Sequence, residues 1–120
     1  LLQVNIASDP DKFGLQAASI YPFIEDLLDA GLTGIRLRGL MTIGRRNDSL
    51  DQTRATFAAL RKLSEACAQR FDAHRFSELS MGMSNDFEVA IAEGATMIRV
   101  GSAIFGQRPA TAPEHAHESL

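Results

Sequence analysis

Residues 76–105, FSELSMGMSNDFEVAIAEGATMIRVGSAIF, read as a strand, a turn, a short helix and a second strand. Phe76 to Met83 is a short, largely apolar run that ends in a glycine-containing turn, and Ser84 or Asn85 stands where a helix N-cap is wanted. Phe87, Ala90 and Ile91 are spaced to face inward from the helix, and Glu93-Gly94 ends it. Thr96 to Phe105 supplies the next strand, which passes into a loop at Gly101. Two strands joined by a helix of this length imply parallel pairing through a right-handed crossover, so the fold class is α/β.

The rest of the chain repeats the unit. Leu1 to Ala7 carries β-branched Val4 and Ile6 and stops at Ser8-Asp9-Pro10-Asp11, a strand followed by a loop. Ile20, Phe23, Ile24, Leu27 and Leu28 recur at helical steps, with Pro22 in the first turn and Gly31 placed for a left-handed cap. RGLMTI, residues 38–43, is too short and apolar for a surface helix and reads as a strand buried on both faces. Asn47-Asp48-Ser49 offers caps for the longest helix, Leu50 to Arg70, whose apolar stripe is Leu50, Phe57, Leu60 and Cys67. The order is β-α-β-α-β-α-β. Periodicity does not separate a four-stranded open sheet from half of a (β/α)8 barrel, but in either one functional residues gather at the carboxyl ends of the strands.

The composition fits one globular domain: of 120 residues, 45% are hydrophobic and 22% charged. No apolar run approaches the roughly 20 residues of a membrane helix, and LLQVNIASDP lacks the pattern of a secretory signal. One cysteine, Cys67, excludes an intrachain disulfide and fits a cytoplasmic setting. A formal charge of −3 gives no general attraction for nucleic acid, and Arg36, Arg38, Arg45 and Arg46 read as a solvated loop flank. The chain has no initiator methionine and opens on what reads as a buried strand, as a processed or incomplete product would.

Two strand ends carry the candidate chemistry. Ser80-Met81-Gly82-Met83-Ser84 closes the third strand, and Arg99-Val100-Gly101-Ser102 closes the fourth. A phosphate needs convergent N–H and O–H donors, and glycine lets backbone approach it closely. The same residues also suit plain tight turns with capping serines. Arg99 lies in an apolar run, where a guanidinium needs either a ligand or a structural salt bridge. Lys12, in the first strand-to-helix loop, falls on the functional end. His74 precedes the third strand, while His115 and His117 lie in the tail without a third ligand, so no metal site is expected.

LSMGMSNDFEVAIAEGATMIRVGSAIFG, residues 79–106, closely resembles the signature of the YggS/PROSC family of pyridoxal 5'-phosphate (PLP) homeostasis proteins. RGLMTI (38–43) and VNIASDPDKFG (4–14) occupy the family's preceding strands in order. The resemblance implies a (β/α)8 TIM-barrel type, the fold-type III PLP proteins, with residues 1–108 supplying about the last four β/α units and 109–120 a flexible tail. It implies PLP as cofactor, with the Schiff-base lysine outside this chain. Ser80, Gly101 and Ser102 would hold the phosphate, Met81, Gly82 and Met83 would shape the same turn, and Arg99 would face the pyridine nitrogen. A permanent cation there disfavours ring protonation and so weakens the ring as an electron sink.

The implied function is intracellular PLP homeostasis without established catalysis. An amino-acid racemase is the enzymatic alternative, with Tyr21 a weak candidate base, and a nonbinding structural half-barrel is the third. Half a barrel would leave its first and fourth strands as unpaired edges and its interior uncovered. Each large aliphatic left wet forfeits roughly 1.5 to 3 kcal/mol, so self-association or a complementary amino-terminal half is expected.

Overall fold

The structure is a computed structural model and describes residues 1–101 except 8, 11, 12, 32, 46 and 47. Four strands form one parallel sheet: β1 (Leu2–Gln3), β2 (Gly39–Met41), β3 (Glu78–Met83) and β4 (Met97–Arg99). Three helices join them: α1 (Ile20–Asp29), α2 (Leu50–Arg70) and α3 (Phe87–Ala92). The spatial order is β1-β2-β3-β4, the order of the chain. Successive right-handed crossovers in such a sheet put every helix on one face, as in a barrel wall, whereas a doubly wound sheet reverses direction and covers both. This order resolves what periodicity leaves open: the chain is four units of a barrel-type fold.

Alternation along the strands then sorts their side chains. Leu40 pairs with Leu79 on the helix-covered face, and both are buried. Behind them Ile20 and Ile24 of α1, Phe57, Leu60 and Cys67 of α2 and Val89 and Ala90 of α3 complete the core. Gln3, Met41, Ser80 and Met97 form one paired row across the sheet on the opposite, open face. Gly39 is forced by packing, since a Cβ there would fall on the carbonyl of Glu78.

The longest helix follows its sequence signals. Ser49 and Gln52 close a reciprocal capping box, with Gln52 N–H donating to Ser49 Oγ at 3.1 Å and Ser49 N–H to Gln52 Oε1 at 2.8 Å. Glu93, just after α3, accepts from Arg61 Nη2 at 3.2 Å and lies 3.9 Å from Arg54 Nη1, tying the two helices together. Gly31 has φ +64°, the left-handed cap its position requires.

Three expectations are corrected. Ile91 points outward and is 53% exposed, while Val89 takes the inward position. With only six residues, α3 is too short for a 3.6-residue period to choose between neighbouring apolar positions. Leu50 is exposed at the start of its stripe, and Phe23 is exposed between the buried Ile20 and Ile24. The outer edge of β1 is also not wholly open: Leu15 N–H donates to Gln3 O at 2.9 Å and Asn5 N–H to Leu15 O at 2.8 Å. Gly14, at φ +116°, allows this close return, its Cα lying where a Cβ would meet Gln3 O at 3.0 Å.

No helix among the described residues is long and apolar enough to cross a membrane.

Candidate functional site

Ser80 and Arg99 reach the open face from adjacent strands. Ser80 pairs with Met97 and Met83 with Arg99, so three steps along β3 match two along β4. The extra residue is a bulge, and Gly82 sits inside it with φ +107°. Its effect is directional: an unbulged strand would send Ser80 and Met83 to opposite faces, whereas the bulge places both with Met97 and Arg99. From strand spacing and rise, the Cα atoms of Ser80 and Arg99 are about 8 Å apart, within joint reach of one small ligand.

Arg99 is half-buried and its guanidinium makes no ion pair or hydrogen bond with any described residue. Ser80 is likewise half-buried, and its carbonyl is used within the sheet, accepting from Thr42 N–H at 3.0 Å. The hydroxyl and the guanidinium therefore form a donor-rich patch among the exposed thioethers of Met83 and Met97, which are 40% and 41% accessible.

The turn after β3 is fixed by a residue outside the sequence reading. Asp86 Oδ1 accepts Met83 N–H at 2.7 Å, and Asp86 N–H donates to Met83 O at 3.1 Å. Asp86, rather than Ser84 or Asn85, is the N-cap position of α3, and its side chain serves the turn instead of the helix. The Met83 N–H is thereby committed to a carboxylate and shapes the turn without donating to a ligand. An Asp four residues beyond the turn glycine is the signal that could have found it.

Gly82 fits a second constraint, because a Cβ there would lie 2.6 Å from Ala90 Cβ and 3.2 Å from Ile98 Cγ2. Met81 is 2% exposed and packs in the helix-side core, so its side chain backs the turn from behind. Gly101 follows β4 and is half-buried. Ser102 and Lys12 lie outside the described residues, as do His115, His117 and the tail.

A clamp at the carboxyl end of β1 also went unread in the sequence. Asn5 Nδ2 donates to Asp9 O at 2.7 Å, Asp9 N–H returns to Asn5 Oδ1 at 3.0 Å, and Arg45 Nε lies 3.9 Å from Asp9 Oδ2. It braces the loop after β1 against the loop after β2. Tyr21 belongs elsewhere: its ring meets Phe71 edge-on at 5.8 Å and carries the Arg70 guanidinium at 4.7 Å, a packing role on α1. No group of three or more His, Cys, Asp or Glu among the described residues could hold a metal ion.

The family model described as alanine racemase, N-terminal domain, matches residues 1–109. The pyridoxal phosphate homeostasis protein of Aquifex aeolicus is 36% identical over 108 residues, covering 90% of this chain and 46% of that protein. Its namesake in Pseudomonas aeruginosa is 39% identical over 112 residues, covering 93% and 46%. Among solved structures, PipY of Synechococcus elongatus without PLP aligns with a TM-score of 0.80 at 40% identity, covering 88% of this chain and 48% of PipY. The PLP-bound form of PipY aligns at 0.76 and 38%, covering 88% and 47%. The chain spans about half the length of the relatives it matches.

Proposed function

Because this chain belongs to the alanine racemase N-terminal domain family, we propose that it binds PLP on the open face of its sheet and serves PLP homeostasis in the cytoplasm. The observation that carries the reading is the half-buried Arg99, without a partner among the described residues, on the same face as the Ser80 hydroxyl. A guanidinium partly withdrawn from water is costly when uncompensated, and an anionic, nitrogen-bearing ligand compensates it. The PLP-bound state of a relative 38% identical in sequence supports the same ligand.

In this proposal Ser80, the backbone at Gly82 and Gly101, and Ser102 hold the phosphate. Arg99 faces the ring nitrogen and keeps it unprotonated, a state that suits holding and releasing the cofactor over carbanion chemistry. Met83 borders the ligand, and Met81 supports the turn from the core. PLP itself supplies a reactive aldehyde and an electron-withdrawing ring, and the lysine that would anchor it lies outside this chain.

The open face calls for a cover. Met83 and Met97 are about 40% exposed on it, and the relatives are about twice as long. A complementary half or a second copy of the chain closes the barrel in this reading.

Dialysis after PLP loading tests the proposal. Retained PLP absorbance that excess inorganic phosphate displaces supports it. Complete loss of PLP on dialysis, or retention indifferent to phosphate, removes it. Turnover of a D- or L-amino acid by the PLP-loaded protein would favour the racemase alternative.

A further inference from the structure

The end of the sheet opposite Ser80 and Arg99 holds a second cationic feature. Arg36 and Arg38 precede β2, and His74 and Arg75 precede β3; together with Leu37, Asp72, Ser77 and Glu78 they line a cleft of about 550 Å³. Pockets that hold small molecules run from about 300 to 1,000 Å³. The length of β3, roughly 16 Å at the usual strand rise, separates this cleft from the carboxyl-end site.

The carboxylates in the cleft are already engaged. Asp72 Oδ1 accepts His74 N–H at 3.0 Å, and its Oδ2 lies 3.9 Å from Arg75 Nε. Glu78 Oε1 accepts the Thr96 hydroxyl at 2.8 Å. The guanidiniums of Arg36 and Arg38, by contrast, make no ion pair or hydrogen bond with any described residue. Three arginines and two carboxylates thus line one concavity, a net formal charge of +1 with His74 neutral, in a chain whose formal charge is −3. Such a cleft focuses positive potential against the sign of the whole molecule.

An apolar annex adjoins it. Leu37 and Arg75 also line a neighbouring cleft of about 210 Å³, walled by Leu27, Leu28 and Ile35. Ile35 is 63% exposed there. A ligand seated across both would put its charge on the guanidiniums and its hydrocarbon beside Leu37.

We infer that the amino-terminal end of the sheet is a binding site for a small oxyanion with an apolar body, its phosphate or carboxylate held by Arg36, Arg38 and Arg75. Arginine suits both heads because its planar fork bonds either one bidentately. The site is independent of the PLP reading.

The test is a titration of the isotope-labelled protein with phenyl phosphate and, separately, benzoate, read at the backbone amides of residues 36–38 and 74–78. Saturable shifts there are expected with at least one probe, and which probe binds more tightly identifies the head group. R36Q/R38Q, with both side chains exposed and unbonded, should keep the dispersed spectrum and bind at least tenfold more weakly, and R75Q should also weaken binding. Shifts that never saturate, that sodium chloride of equal ionic strength reproduces, or that survive both variants unchanged would overturn the inference. Shifts confined to residues 80–101 would also overturn it, while leaving the carboxyl-end site standing.

Discussion

Arg99 stands opposite Met83 in the β3–β4 pairing, one bulge beyond Ser80. Alternation along β4 puts Arg99 on the face of Met97 and its partner Ser80, and the bulge, which Gly82 at φ +107° makes possible, turns Met83 onto that face beside them. The thioether beside the two donors therefore depends on a backbone conformation.

Replacing Gly82 tests that conformation. Gly82→Ala puts a Cβ 2.6 Å from Ala90 Cβ in a backbone region that L-residues avoid. Strain and overpacking together should cost about 2–4 kcal/mol. Urea unfolding measures it, and a variant as stable as the parent would mean that the bulge is not built as described.

Asp86 should matter through the turn. Asp86→Ala leaves the Met83 N–H, now bonded at 2.7 Å, without its charged acceptor and should cost about 1–2 kcal/mol. Asp86→Asn keeps an acceptor oxygen and should recover most of that. Equal losses for the two variants, measured by the same unfolding experiment, would assign the effect to something other than this hydrogen bond.

Cys67 should be inert. It is fully buried on α2, and burial pushes its thiol above the ordinary 9.0. The unfolded chain releases the thiol proton first, so this contribution to stability is complete below that ordinary value and is lost as pH rises through the elevated one. Iodoacetamide should modify Cys67 at least about tenfold more slowly in the folded protein than in urea. Equal rates would contradict its burial.

Much of this was legible in the residues because the long elements carry redundant signals. Leu50–Arg70 has a cap, a stripe and a basic last turn, and the helix spans those residues. The four strands and their parallel sense follow from alternation with helices, although their spatial order does not and β1, β2 and β4 are shorter than their apolar runs. Apolar composition continues past the last ladder bond, and only pairing ends a strand.

The site was read less completely. Arg99 sits in an apolar run, but its neighbour Met97 faces the open side with it, and composition does not distinguish an apolar residue on an uncovered face from a core residue. The bulge at Gly82 and the use of Asp86 by Met83 are consequences of φ and distance, which have no periodic trace. Arg36 and Arg38 read as a solvated flank because Arg75, with which they share a cleft, is distant in sequence.

The most direct measurement is the PLP dissociation constant of the protein beside those of Ser80→Ala and Arg99→Gln, with the fold of each checked by its far-ultraviolet spectrum. Each variant should stay folded and bind PLP at least tenfold more weakly, a loss of about 1.4 kcal/mol or more. Affinity unchanged in both variants, or no saturable binding by the parent protein, would contradict the claim that this face of the sheet holds the cofactor.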